Sequence, residues 1–195
     1  MIYIVSGFFR SGTSLLMQSL EAGGLPIYYS RKRDRLNEEH TDRSRRPNPV
    51  SLYEPSGSDL AEIGFPRRHD GCAVKVLIMW LSSLAVHDYR VLMLYRDPLG
   101  IMDSYERAFH EFWDLDRREA WIRYYYPRMD ETYRWFLNRR DVRSVSRLAF
   151  ADVLSSPLVS FRSLAADGWP IDAERAASVV TSGKALDGTS VPCPA

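Results

Sequence analysis

The residues best suited to chemistry stand at the start of the chain, in Gly7-Phe8-Phe9-Arg10-Ser11-Gly12-Thr13-Ser14. The apolar run Ile2 to Val5 leads in and Leu15-Leu16-Met17 leads out, so the segment reads as a buried strand, a glycine-bounded loop and a helix N-terminus. Such a loop binds anions. Glycines let backbone N–H groups approach closely, the helix adds the positive end of its dipole, and the hydroxyls complete the cup. Gly7 and Gly12 have the spacing of a P-loop, but Thr13 and then Ser14 follow where a nucleoside triphosphatase places lysine. Arg10 supplies the charge from inside the loop.

A second group is Tyr95-Arg96-Asp97-Pro98 with Ser104 further on. Asp97 as N-cap and Pro98 at the first helical position start a helix directly after a strand. Arg96 then leaves the sheet edge, Ser104 falls on the second turn, and both can reach one phosphate. Arg107, one turn later, can assist. Lys75 is a third candidate: it interrupts an apolar strand, where an ammonium is costly unless it snorkels to the strand end, forms a structural ion pair or meets an anion.

The loop Gly-x-x-Arg-Ser-Gly-Thr-Ser resembles the 5′-phosphosulfate loop of sulfotransferases that use 3′-phosphoadenosine 5′-phosphosulfate (PAPS), and Arg96 with Ser104 resembles their 3′-phosphate motif. The resemblance implies that Gly7, Phe9, Arg10, Ser11, Gly12, Thr13 and Ser14 hold the phosphosulfate, and that Arg96, Ser104 and Arg107 hold the 3′-phosphate. It implies that Lys75 contacts the transferring sulfuryl group. Leu77 stands where cytosolic members carry a histidine base, so that version of the mechanism does not transfer. Leu15 likewise replaces a tryptophan frequent in those members. The segment ending Tyr53-Glu54 resembles one in small bacterial sulfotransferase-like proteins, and the wider family includes glutamate bases, which makes Glu54 the first choice of base ahead of Glu38, Glu39 and His40.

The implied activity is transfer of a sulfonate group from PAPS to a hydroxyl or amine of a small-molecule acceptor, with Arg10, Lys75 and Glu54 as catalytic residues and no metal. Two other readings stand beside it. One is a P-loop kinase of a small substrate, which Thr13 in the lysine position disfavours; the other is a nucleotide-binding protein without turnover.

The elements that must position these groups alternate. Strands are expected over residues 2–5, Cys72–Met79, Tyr89–Tyr95 and Ser144–Phe150. Helices are expected after Gly12, from Pro98 to about His110, over Trp121–Leu137 with a kink near Pro127, over Leu158–Ala166, and from Asp172 to about Val180. This pattern predicts an α/β, P-loop-like three-layer domain: a central, mainly parallel sheet covered by helices on both faces, with ligands at the carboxyl ends of the strands. A single domain is expected over 1–195, with a mobile polar loop expected over 30–49 and a loosely held tail over 181–195.

A net charge of +1 provides no field for nucleic acid or an anionic membrane, and neither is expected as a partner. No apolar run has membrane-spanning length, and Ile2–Val5 is too short for a signal-peptide core. Cys72 and Cys193 are too few and too far apart to suggest a disulfide framework or a metal site, so a reduced cytoplasmic setting is expected.

Overall fold

The computed structural model describes residues 1–29, 54–55, 57–62 and 64–182. The polar stretch 30–49 and the residues after Ser182 therefore lie outside the described part, together with Glu38, Glu39, His40 and Tyr53.

Strand β1 (Ile2–Ser6) is buried along its whole length and lies inside the sheet, flanked by β2 (Ala73–Lys75) and β3 (Tyr89–Tyr95); β4 (Val142–Ala149) follows β3. The order is β2-β1-β3-β4 and every pairing is parallel. Alternation of side chains sends Ile2, Ile4, Val74, Val91 and Met93 to one core and Tyr3, Val5, Ala73, Leu92 and Leu94 to the other. The sheet thus has an apolar layer on each face, which is the expected α/β architecture.

The second face is covered by α1 (Thr13–Ala22), through Leu16, Met17 and Leu20. The short α6 (Phe150–Ser155) adds Val153, α7 (Pro157–Ala166) adds Phe161 and Leu164, and α8 (Ala173–Ser182) adds Ala176. The first face is covered by α4 (Pro98–Phe109), through Ile101, and by α5 (Leu115–Leu137), through Tyr125, Met129 and Phe136. Two short helices, α2 (Gly57–Ala61) and α3 (Phe65–Arg68), add Leu60 and Phe65 to that core. Each fully buried side chain of this size contributes about 1.5–3 kcal/mol of transfer free energy.

Helix starts follow the sequence signals. The Asp97 side chain accepts from Gly100 N–H, Asp114 accepts from Arg117 N–H, and Asp172 accepts from Glu174 and Arg175 N–H. Helix α5 opens six residues earlier than expected because Asp114 caps it, and it continues through Pro127.

Four expectations are corrected. The strand expected over Cys72–Met79 pairs only over Ala73–Lys75 and is followed by a 3-10 turn over Ile78–Ser83. The 3-10 turn takes over while the chain is still tied to β1 and its loop, with Val76 N–H donating to Val5 O at 2.9 Å and Ile78 N–H to Gly7 O at 3.2 Å. Phe150, expected to end β4, opens α6 instead. Thr181 and Ser182, expected in the tail, complete α8. Finally, Cys72 is disulfide-bonded, although two cysteines so few and so far apart suggest no disulfide framework and a reduced setting; the other cysteine of the chain, Cys193, lies outside the described residues.

The strand order has one consequence for ligands. β1 is followed by α1 on one face of the sheet, and β3 is followed by α4 and α5 on the other face. The loops leaving the adjacent strands β1 and β3 therefore part in opposite directions and leave a crevice at their carboxyl ends. Arg10 and Arg96 stand in those two loops.

Candidate anion-binding site

The loop after β1 is built around two residues in left-handed conformation, Arg10 at φ 61° and Gly12 at φ 100°. Ser11 closes the turn: its N–H and its Oγ both donate to Phe8 O, at 3.2 and 2.6 Å. For Arg10, which has a Cβ, this backbone costs about 1–2 kcal/mol. Among the described residues His110 is the other non-glycine with positive φ, and it ends a helix, where that conformation is ordinary.

Neither loop glycine can carry a side chain. A Cβ on Gly12 would lie 2.3 Å from the Phe150 ring, and one on Gly7 would lie 2.7 Å from Ser11 Oγ and 3.0 Å from Leu94 O. No side chain caps α1 at Gly12, so the first-turn N–H groups keep their donor capacity, as an anion cradle requires.

Above this cradle, guanidinium groups converge. Arg10 Nε donates to Ser104 Oγ at 3.2 Å, and Arg96 donates through an Nη to the Arg10 carbonyl at 2.9 Å. The Arg96 guanidinium lies 4.6 Å from the centre of the Phe150 ring, a cation–π contact. Burial, then the charges of Arg96 and Arg107, push the Arg10 pKa below its ordinary value. Burial and Arg107 do the same to Arg96. Cations that destabilise one another in a partly desolvated crevice gain most from a polyanion.

Lys75, at the end of β2, is 2% exposed; its Nζ meets Glu54 Oε1 at 2.7 Å and donates to Ser14 Oγ at 3.0 Å. Lys75 thus forms an ion pair at the wall of a cavity that Glu54 and Ser14 also border. That cavity, of about 320 Å³, is also lined by Arg10, Gly12, Thr13, Arg96 and Ser104. Its remaining wall is apolar, from Phe9, Leu15, Leu77, Tyr105 and Phe109.

Gly7 and Ser11 shape the loop without lining the cavity. Arg107 is exposed and acts on Arg10 and Arg96 through its charge. Sequence reasoning had not singled out Phe150, which underlies both Gly12 and Arg96. A signal existed, since Phe150 follows the carboxyl end of β4, at the sheet edge where ligands bind. Among the described residues no group of three His, Cys, Asp or Glu side chains is placed to hold a metal ion, and no helix is long and apolar enough to cross a membrane.

No protein-family model matches this chain, and no curated protein does. Among solved structures, the chain is similar to retinol dehydratase in complex with androsterone and the inactive cofactor PAP. The TM-score is 0.48 at 15% identity, over 94% of this chain and 64% of that one. It is also similar to an uncharacterized protein from Eubacterium ventriosum ATCC 27560, with a TM-score of 0.33 at 11% identity, over 94% of this chain and 97% of that one. The chain thus spans just under two thirds of the retinol dehydratase chain, and no residue role is carried across.

Proposed function

We propose that this crevice binds PAPS and that the protein is a sulfotransferase acting on a hydroxyl or amine of a small-molecule acceptor. The observation that carries the reading is the contact between Arg10 and Ser104: the phosphate loop after β1 and the motif after β3 meet side chain to side chain at one cavity. The residues fit a ligand with phosphate at two ends. Gly7 and Gly12 leave no room for a Cβ, so the loop packs closely on Ser11, Leu94 and Phe150, while Arg10, Arg96 and Arg107 gather positive charge beside it.

When bound, PAPS supplies a sulfonate whose S–O bond to the 5′-phosphate breaks as the acceptor oxygen or nitrogen bonds to sulfur, the electron pair leaving with the phosphate. The loop N–H groups and Arg10 stabilise the charge that grows on that phosphate, and Lys75 reaches the sulfuryl oxygens from the end of β2. Glu54, held against Lys75, accepts the acceptor proton. Leu77, two residues beyond Lys75, is an apolar neighbour that takes no proton. Arg96 and Ser104 hold the 3′-phosphate, and Arg107 adds long-range attraction.

The test is a thermal-shift titration with adenosine 3′,5′-bisphosphate (PAP), ADP, and ATP with magnesium. PAP should stabilise the protein most, since at equal concentration the ligand that binds the folded state more tightly raises its melting temperature further. A stronger effect of ATP with magnesium would redirect the reading to kinase chemistry, and no effect of any of the three would remove it.

A further inference from the structure

Tyr125 lies outside the cavity, yet it touches both loops that form it. It sits on α5, is 1% exposed, and its ring centroid lies 5.1 Å from that of Phe8 in the phosphate loop. Its hydroxyl oxygen accepts the backbone N–H of Arg96 at 3.0 Å. That N–H is the first one past the end of β3, whose pairing stops at Met93 with Ser6 of β1 and at Tyr95 with Ala149 of β4, so it lies beyond both ladders. A buried amide without an acceptor is costly, and the phenol supplies one. Burial pushes the Tyr125 pKa up to about 12, so the group stays neutral at working pH.

The contacts close a circuit. Phe8 packs on Tyr125, Tyr125 accepts from Arg96 N–H, and the Arg96 side chain donates to the Arg10 carbonyl two residues past Phe8. We propose that Tyr125 is a positioning residue for 3′-phosphate selectivity: its hydroxyl fixes the backbone at Arg96, and thereby aims the Arg96 guanidinium, while its ring keeps that loop in register with the phosphate loop. This rests on the reading of Arg96 as the 3′-phosphate ligand.

The test is calorimetric binding of PAP and ADP to the unmodified protein, Tyr125→Phe, Arg96→Ala and the double variant. Tyr125→Phe keeps the ring and removes only the acceptor, so it should fold, lose about tenfold in PAP affinity and keep its ADP affinity. The double variant should bind PAP no more weakly than Arg96→Ala alone, because Tyr125 acts through Arg96. Equal loss for both ligands, an unchanged PAP-to-ADP ratio, an additive double variant or a Tyr125→Phe protein that fails to fold would each overturn the proposal. If the unmodified protein itself binds PAP no better than ADP, the assignment of the 3′-phosphate site has failed, and the role of Tyr125 with it. A preference that is present in the unmodified protein and kept in Tyr125→Phe overturns the positioning role alone.

Discussion

Arg10 Nε donates to Ser104 Oγ across 3.2 Å, although the two residues are 94 positions apart in the chain. Ser104 is buried on α4 and Arg10 stands in the loop after β1, so the contact links the two sides of the crevice. The expected partner of Ser104 is a phosphate shared with Arg96; its hydroxyl oxygen is also engaged by Arg10.

This arrangement predicts a selective effect of Ser104→Ala. Losing one hydrogen bond to a charged ligand costs about 1.5–3 kcal/mol. PAP affinity should therefore fall roughly tenfold or more, with little change for ADP, as read by calorimetry. A variant that loses affinity for both nucleotides equally would show that Ser104 serves the loop through Arg10 and not the 3′-phosphate.

Arg10→Ala should lower turnover more than it weakens PAP binding. Its charge matters most when the leaving phosphate gains charge, and removing one such donor costs about 2.7–4 kcal/mol of barrier. Alanine also leaves the left-handed backbone at this position as strained as before, so the fold should survive. Equal losses in rate and affinity under single-turnover conditions would place Arg10 in ground-state binding.

Glu54 and Lys75 separate chemistry from stability. Glu54→Gln should lose about 10²–10⁴ in rate while binding PAP normally, and its amide oxygen can still accept from Lys75 Nζ. Lys75→Met leaves the Glu54 carboxylate, 13% exposed, without the cation 2.7 Å away. Breaking a buried pair in this way costs up to about 3–5 kcal/mol. The double variant Glu54→Gln/Lys75→Met should recover part of that stability in chemical denaturation and remain inactive. A fully active Glu54→Gln protein would mean that the base lies elsewhere, Glu38, Glu39 and His40 being the next residues to substitute.

Gly12→Ala should be among the most damaging single substitutions. The new Cβ would meet the Phe150 ring at 2.3 Å, and the backbone φ of 100° is strained for any L residue. Strain at such a position costs about 1–3 kcal/mol, before any shift of Phe150 beneath Arg96. Thermal unfolding should show the loss, and PAP binding should weaken in step. Gly24→Ala is the control: it shares a positive φ of 93° but has open space around its Cβ, and should leave PAP binding intact.

What the chain determined by itself was local. The buried strand, the glycine spacing, the helix starts at Asp97 and Asp172 and the alternation of strands with helices follow from backbone freedom, capping and side-chain period, all acting over a few residues. These sufficed for the α/β architecture and for naming Arg10, Arg96 and Ser104. The tertiary structure decided what depends on partners far along the chain. It ended β2 at Lys75 ahead of a 3-10 turn, opened α6 at Phe150, and set the Phe150 ring under Gly12 and Arg96. It brought Glu54 against Lys75, and it used the Tyr125 hydroxyl, rather than another strand, to satisfy Arg96 N–H. No periodicity encodes such contacts. Each depends on which buried charge or unpaired amide must find a partner once the sheet has formed, and that need arises only in three dimensions.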